Sequence, residues 1–155
     1  METINLADGG ILLYDEHFLS PGAADRYFVD LRDTLAWEQK PGIFGHAQPR
    51  LIATYGDEGL TYRYSGHDYV ALPWTATLLE IKAKIEAVQG VYNYCLANRY
   101  RSGSDSVGWH ADNEPGMGRR YFLLALKRSL DRRRTGAEPG STPKLEPWQP
   151  EDTPR

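Results

Sequence analysis

The chain has 155 residues, of which 41% are hydrophobic and 25% charged, and its formal net charge is −3. This length and hydrophobic content predict one folded domain and exclude a disordered chain. The single cysteine, Cys95, excludes a disulfide framework, and no apolar run is long enough for a signal peptide or a membrane span. We therefore expect a cytoplasmic protein.

Charge is divided unevenly along the chain. Residues 1–118 contain nine Lys and Arg against sixteen Asp and Glu, whereas residues 119–155 contain nine against five. Proteins that bind nucleic acid usually contact the phosphates through Lys and Arg. The acidic part is therefore an unpromising surface for nucleic acid.

The first forty residues predict strands on either side of one helix. Residues 11–14 are apolar and follow a turn, which is typical of a strand. Ser20 followed by Pro21 is typical of a helix start. The apolar residues after it have helical spacing: Ala24, Tyr27, Phe28, Leu31 and Leu35. Residues 37–40 predict a second strand that ends at Pro41.

The central part of the chain predicts a strand pair and a second helix. Residues 50–55 and the alternating Tyr62 and Tyr64 are predicted to form two strands joined by a turn. A helix is predicted after Pro73, with Gly90 as its C-cap. Its apolar residues recur at helical spacing: Leu78, Ile81, Ile85 and Val88.

Residues 92–100 predict a strand that carries a polar residue on an otherwise apolar face. Alternation places Tyr94, Leu96, Asn98 and Tyr100 on the same face. A buried asparagine needs hydrogen-bond partners, so a local hydrogen-bond network is one interpretation of Asn98.

His110 and Asp112 are separated by one residue, after a Gly/Ser-rich loop at 101–108. In an extended segment such residues project to the same face, so an imidazole and a carboxylate can reach one point. They would supply two of the three ligands of a 2-His-1-carboxylate Fe(II) site. The alternative is a solvated loop pair, since a three-residue pattern also occurs by chance. The other histidines are expected to be solvated surface or loop residues: His17, His46 and His67.

Several further motifs surround this pair. The chain reads N-R-Y at 98–100 and D-N-E-P-G-M-G at 112–118. Upstream it reads P-R at 49–50, Y-G-D at 55–57 and G-L-T-Y-R-Y-S-G at 59–66. In this order they resemble the AlkB family of Fe(II)/2-oxoglutarate-dependent nucleic-acid dealkylases, and most of all its branch that repairs duplex DNA.

The resemblance implies an α+β fold in which N-terminal helices pack on an incomplete double-stranded β-helix, or jelly roll. It implies that His110 and Asp112 bind Fe(II) and that Asn98 and Tyr100 hold 2-oxoglutarate. The implied reaction is oxidative dealkylation of N-alkylated bases such as 1-methyladenine and 3-methylcytosine, which consumes O2 and releases formaldehyde and succinate. The implied partner is alkylated DNA, or RNA, and not a membrane.

The residues on the substrate side each have two interpretations. Phe44, at a turn or hairpin tip, either folds back into a core or, by resemblance, enters the base stack where a nucleotide flips out. Tyr62 and Tyr64 either pack one sheet face or, by resemblance, line the damaged-base pocket. Glu114 either is a solvated turn residue or, by resemblance, hydrogen-bonds the substrate base.

After Gly118 the family motifs stop. No histidine follows His110, whereas the family has a second iron-binding histidine and a pair of arginines late in the chain. Residues 119–134 are basic with helical apolar spacing, typical of a segment that binds nucleic acid or a membrane surface, and the Pro-rich residues 135–155 are expected to be disordered. We expect a truncated or frameshifted terminus, with residues 1–118 as the N-terminal part of a dioxygenase fold.

The sequence leaves three functions open. The first is an active Fe(II)/2-oxoglutarate dealkylase. The second is a catalytically inactive relative that retains nucleic-acid binding through Phe44 and the basic segment. The third is an interaction domain in which His110 and Asp112 are incidental. Metal binding would separate the first function from the other two.

Overall fold

The computed structural model describes residues 1–7, 9–42, 46–64, 67–108 and 122–126, apart from the side chains of residues 62–64 and 67. Helices and strands are both present, which confirms the α+β class. Within these ranges no helix is long and apolar enough to cross a bilayer. In chain order the elements are β1 (Glu2–Asn5), β2 (Ile11–Tyr14), α1 (Pro21–Thr34), β3 (Leu51–Gly56), β4 (Thr61–Tyr64), β5 (His67–Val70), β6 (Leu72–Pro73), α2 (Ala76–Glu86) and β7 (Tyr94–Arg99).

Helix α1 begins where Ser20 and Pro21 predict. Ser20 is the N-cap, and its Oγ accepts a hydrogen bond from the Ala23 N–H at 3.4 Å. Tyr27 is fully buried, and its hydroxyl donates to Glu80 Oε2 of α2 at 3.2 Å. Arg26 donates to the same carboxylate oxygen at 2.9 Å. One carboxylate of α2 therefore joins the two helices.

Helix α2 ends earlier than the sequence predicts. Thr75 caps its N-terminus and accepts a hydrogen bond from the Leu78 N–H at 3.2 Å. The helix stops at Glu86 with Ala87 as its C-cap, whereas Gly90, the predicted C-cap, lies beyond the turn at 87–88 with φ +58°. Val88, the last residue of the predicted apolar stripe, is 66% exposed, so no packing extends the helix to it.

The central sheet has the strand order β6–β3–β7 within the described part of the chain. β3 and β7 are antiparallel, with Leu51 opposite Arg99 at one end and Gly56 opposite Tyr94 at the other. β3 is parallel to β6. The β3–β7 pair confirms the strands predicted at 50–55 and 92–100.

One face of the β3–β7 pair forms the hydrophobic core. The core cluster is Leu35, Ala53, Tyr55 and Leu78, with Leu31, Trp37, Trp74, Cys95 and Ala97 packed against it. The Tyr55 hydroxyl accepts a hydrogen bond from the Ala36 N–H at 2.9 Å, just beyond the end of α1. Because side chains alternate along a strand, the residues between Cys95, Ala97 and Arg99 belong to the opposite face.

Two antiparallel hairpins complete the described strands, β1 with β2 and β4 with β5. β2 confirms the strand predicted at 11–14, and β4 confirms the strand predicted around Tyr62 and Tyr64. The expectation that His67 lies in a loop is wrong, since His67 begins β5 opposite Tyr64. The Ser-Gly sequence at 65–66 predicted a loop, but the pairing of His67 with Tyr64 of β4 makes His67 part of a strand.

One prediction of regular structure is wrong, and another is described only in part. Residues 37–40 form no continuous strand, because their pairing with β3 is confined to Glu38, which exchanges backbone hydrogen bonds of 2.8 and 2.9 Å with Ile52. In the basic segment 119–134, whose apolar spacing is helical, the described residues 122–126 are not helical, and the other residues of the segment lie outside the described ones. Leu123 is 91% exposed, and an apolar stripe stabilises a helix only where it can pack.

The loop after β7 is closed by an ion pair. Arg101 donates from Nε to Asp105 Oδ2 at 2.7 Å and from Nη2 to Oδ1 at 2.9 Å, and its backbone N–H adds a third hydrogen bond of 2.8 Å. The Ser106 N–H donates to the Pro49 carbonyl at 2.8 Å, which ties the loop to the residues before β3. Hydrogen bonds from the Arg101 side chain, then from its backbone, lower the pKa of Asp105 to about 2.

The Asp105 ion pair predicts a specific acid titration. The folded pKa of about 2 lies below the ordinary value of 3.8, so the carboxylate stabilises the folded loop above pH 3.8 and loses that effect as the pH falls towards 2. Carboxyl-carbon NMR should give an Asp105 midpoint near 2. Arg101→Gln should move the midpoint up towards 3.8, because the guanidinium is the main cause of the shift. A wild-type midpoint near the ordinary value would contradict the ion pair.

Gly56 predicts a second measurable effect. A Cβ at Gly56 would lie 2.8 Å from the Asn93 carbonyl oxygen, which is closer than side-chain carbons approach backbone oxygens. We expect Gly56→Ala to lower the free energy of unfolding by about 1–3 kcal/mol in urea denaturation. Gly22→Ala, in the first turn of α1 with nothing within 4 Å of the added Cβ, is the matched control and should be neutral or stabilising. Equal effects would exclude the steric explanation.

Candidate functional site

The face of β7 opposite the core carries the residues predicted to hold 2-oxoglutarate. Leu96 is 44% exposed, Asn98 is exposed, and Tyr100, the next residue in the alternation, is 48% exposed. We call the surface formed by Leu96, Asn98 and Tyr100 the open face. An amide and a phenol beside an apolar side chain can bind a small polar ligand, and their exposure leaves them accessible to one.

Asn98 is held by a residue that the sequence did not single out. Arg50, just before β3, donates from Nε to Asn98 Oδ1 at 2.9 Å. Arg50 is partly buried and has no carboxylate partner among the residues that the structure describes. An amide and a phenol are hydrogen-bond donors suited to a carboxylate, so the described part of the open face fits 2-oxoglutarate. The P-R motif was the available signal for Arg50.

The hairpin that carries the two predicted base-pocket tyrosines lies on the side of the open face. Thr54 is opposite Leu96 in the β3–β7 register, and its hydroxyl donates to the Val70 carbonyl of β5 at 3.2 Å. Tyr62 and Tyr64 both lie on β4, and Tyr62 is paired with Tyr69 of β5. The side chains of Tyr62 and Tyr64 are outside the description, so their contacts with a base stay a prediction.

A second hairpin leads into β3 and holds the segment that contains Phe44. Two backbone hydrogen bonds join its sides. The Gln48 N–H donates to the Lys40 carbonyl at 2.8 Å, and the Gly42 N–H donates to the His46 carbonyl at 2.6 Å. Lys40 Nζ lies 5.8 Å from the centroid of the Tyr69 ring, so this hairpin adjoins the β4–β5 hairpin. Residues 43–45, with Phe44, lie between the paired ends and outside the described residues.

The predicted metal ligands are also outside the described residues. His110, Asp112 and Glu114 follow the loop that Arg101 and Asp105 close and that Ser106 ties to Pro49. Within the described ranges, no group of three or more His, Cys, Asp and Glu side chains could hold a metal ion. Metal binding by His110 and Asp112 therefore stays a prediction. The described part of the loop ends at Gly108, two residues before His110.

Cys95 lies on the other side of β7 and is unsuited to nucleophilic chemistry. Its side chain packs against the core, and burial raises the pKa of the thiol to about 11. Burial likewise raises the pKa of Tyr94 to about 12. The thiolate is the reactive form of cysteine, and a thiol with this raised pKa stays protonated at neutral pH. Cys95 is therefore a core residue and not a nucleophile.

Comparison with known proteins gives one matching family model and several similar curated proteins. The model of the 2OG-Fe(II) oxygenase superfamily matches residues 11–123. The chain is 44% identical over 75 residues to DNA oxidative demethylase ALKBH2 of Homo sapiens, covering 46% of this chain and 29% of that protein. It is 40% identical over 114 residues to alpha-ketoglutarate-dependent dioxygenase alkB homolog 3 of Bos taurus, covering 70% of this chain and 39% of that protein.

A plant relative extends the similarity. DNA oxidative demethylase ALKBH2 of Arabidopsis thaliana is 32% identical over 122 residues, covering 73% of this chain and 38% of that protein. The chain thus spans no more than about two fifths of the length of these relatives. The superfamily match covers most of the chain and includes the open face, the β4–β5 hairpin, the hairpin between Lys40 and Gln48, and the predicted metal ligands. The chain belongs to the 2OG-Fe(II) oxygenase superfamily and, within it, to the AlkB family.

Proposed function

We propose that this chain takes part in the oxidative dealkylation of N-alkylated bases in DNA, such as 1-methyladenine and 3-methylcytosine, as an Fe(II)/2-oxoglutarate-dependent dioxygenase. The observation that carries the proposal is the position of Asn98 and Tyr100 on an exposed face. This face adjoins a hairpin that carries two tyrosines and a loop that leads to the H-A-D sequence at 110–112. The names of the ALKBH2 relatives, DNA oxidative demethylases, support DNA as the substrate.

The proposed roles on the cofactor side follow from the donor types. His110 and Asp112 would hold Fe(II) through an imidazole nitrogen and a carboxylate oxygen. Asn98 and Tyr100 would hold 2-oxoglutarate through the amide and the phenol. When bound, Fe(II) with 2-oxoglutarate and O2 supplies the oxidation of the N-alkyl carbon, and the alkyl group leaves as formaldehyde while 2-oxoglutarate becomes succinate and CO2.

On the substrate side, the proposed work of the chain is to extract, stack and orient one base. Phe44 would fill the gap that a flipped nucleotide leaves in the duplex. Tyr62 and Tyr64 would stack on the extracted base, because an aromatic face accepts any base. Glu114 would accept or donate a hydrogen bond at the edge of the base, which orients the alkylated nitrogen.

The proposed domain organisation places all of these residues in one part of the chain. Residues 1–118 would form the N-terminal part of a jelly-roll dioxygenase domain, with β3 and β7 among its strands and the open face directed into it. Residues 119–134 would be a basic segment, and residues 135–155 a Pro-rich tail. The exposed Leu96 supports this proposal, because an apolar side chain on a sheet face is normally covered by a second layer.

A second candidate function is favoured by the histidine count. The 155 residues contain four histidines, and none of them follows His110. His110 and Asp112 are two ligands of a three-ligand site, so a chain that binds DNA without turning it over is the alternative. In that case Phe44 and the basic residues of 119–134 would carry the binding.

Turnover by the iron site is tested with duplex DNA that contains 1-methyladenine. With Fe(II), 2-oxoglutarate and ascorbate present, we expect release of formaldehyde and succinate. His110→Ala should lower the rate more than about a hundredfold, since even residues that only support a metal ligand cost 10–100-fold when changed. His17→Ala is the matched control, because that side chain is 87% exposed and lies beside Glu16 on the surface. Folded wild-type protein without turnover would exclude the enzymatic proposal.

DNA binding separates the two candidates. If Phe44 enters the base stack, Phe44→Ala should weaken binding to the same duplex by about 1–3 kcal/mol in fluorescence anisotropy. Tyr14→Ala, at an exposed aromatic residue on β2, should leave binding unchanged. Binding that survives His110→Ala in a protein without turnover would favour the non-catalytic candidate, whereas binding unaffected by Phe44→Ala would exclude the wedge role.

A further inference from the structure

Arg50 joins two segments that are 48 residues apart in the chain. Its Nε donates to Asn98 Oδ1 at 2.9 Å, between the residue before β3 and the face of β7 that is opposite the core. A guanidinium has only donors, so the amide of Asn98 must present its oxygen to Arg50. Since no acceptor within the described ranges takes them, the two N–H bonds of Asn98 Nδ2 can go to a ligand.

The other arginines with described side chains are used differently. Arg26 pairs with Glu80 at 2.9 Å, Arg32 with Asp33 at 2.6 Å and Arg101 with Asp105 at 2.7 Å, while Arg99 donates to the Arg32 carbonyl at 3.3 Å. Arg50 instead bonds a neutral amide and has no carboxylate partner within the described ranges. Its positive charge is therefore not neutralised by the described part of the protein.

Arg50 also stands where three segments of the site meet. It is followed by β3, its bond partner lies on β7, and the carbonyl of the preceding Pro49 accepts the Ser106 N–H at 2.8 Å. Ser106 belongs to the loop that leads to His110. A residue fixed at this junction can orient a side chain of the open face without itself belonging to that face.

We propose that Arg50 is a positioning residue for 2-oxoglutarate, which holds the Asn98 amide in the orientation that offers N–H donors to a carboxylate of the ligand. The inference rests on the proposed function, in which Asn98 binds 2-oxoglutarate. An amide free to rotate would present its oxygen as readily as its nitrogen, and an oxygen repels a carboxylate. The bond to Arg50 removes that second orientation, and the charge of Arg50, which no carboxylate of the described residues pairs with, favours an anion nearby.

The test measures 2-oxoglutarate binding to the full chain by isothermal titration calorimetry, without O2 and with Mn(II) in place of Fe(II). Arg50→Met keeps the length of the side chain but has no donor, and we expect its Kd to rise about three- to tenfold. Arg50→Lys retains a hydrogen-bond donor, so its Kd should lie between the values for the wild type and for Arg50→Met. Asn98→Ala should raise the Kd about tenfold or more, since it removes the hydrogen bond itself.

The double variant decides whether Arg50 acts through Asn98. In the Asn98→Ala background, Arg50→Met should cause no further loss, because there is no amide left to orient. Arg26→Ala is the matched control, as it removes an exposed arginine that pairs with Glu80 of α2, and it should bind like the wild type. The side-chain amide NMR signals of Asn98 in the ligand-free protein should change in Arg50→Met and not in Arg26→Ala.

The remaining outcomes each contradict the positioning role of Arg50 or the proposed function. Equal Kd values for wild type and Arg50→Met, with binding lost in Asn98→Ala, would overturn the positioning role and leave the proposed function standing. If Arg50→Met raises the Kd in the Asn98→Ala background by as large a factor as in the wild type, Arg50 contacts the ligand directly. That outcome also overturns the positioning role. Folded wild-type protein that does not bind 2-oxoglutarate would overturn the proposed function and this inference with it.

Discussion

The antiparallel pairing of β3 with β7 is the constraint on which the rest of the structure depends. Six register pairs run from Leu51 and Arg99 to Gly56 and Tyr94. Because side chains alternate across a strand, this ladder separates the side chains that enter the core cluster from those on the side of the open face. Ala53, Tyr55 and Ala97 pack beneath the helices, while Leu96 and Asn98 remain accessible. The same backbone hydrogen bonds thus build the core and display the candidate site.

Polar contacts help to join the segments around the open face to this ladder. Thr54 bonds the backbone of β5, Arg50 bonds Asn98, and Ser106 bonds the carbonyl of Pro49. A net hydrogen bond contributes only about 0.5–1.5 kcal/mol to stability, so each such contact matters more for geometry than for holding the fold together. Core burial by the helices stabilises the sheet, and the polar contacts set where the hairpins and the loop lie on it.

Membership of the AlkB family gives these contacts a functional context. The match to the superfamily covers residues 11–123, which contain both hairpins, the open face and the H-A-D sequence. The matched part of this chain covers 29–39% of the three relatives compared above. The chemistry proposed for the chain depends on residues of β7 and of the segment after it.

The sequence by itself determined the local features. Ser20 and Thr75 fix the helix starts because their hydroxyls cap backbone N–H groups, and the alternation at 94–100 places Asn98 and Tyr100 on one face because side chains in a strand have a period of two. Only the tertiary structure decided the end of α2, the strand at His67 and the bond between Arg50 and Asn98. These depend on which distant residues lie alongside, and no local pattern records that Arg50 and Asn98 meet across 48 residues of chain.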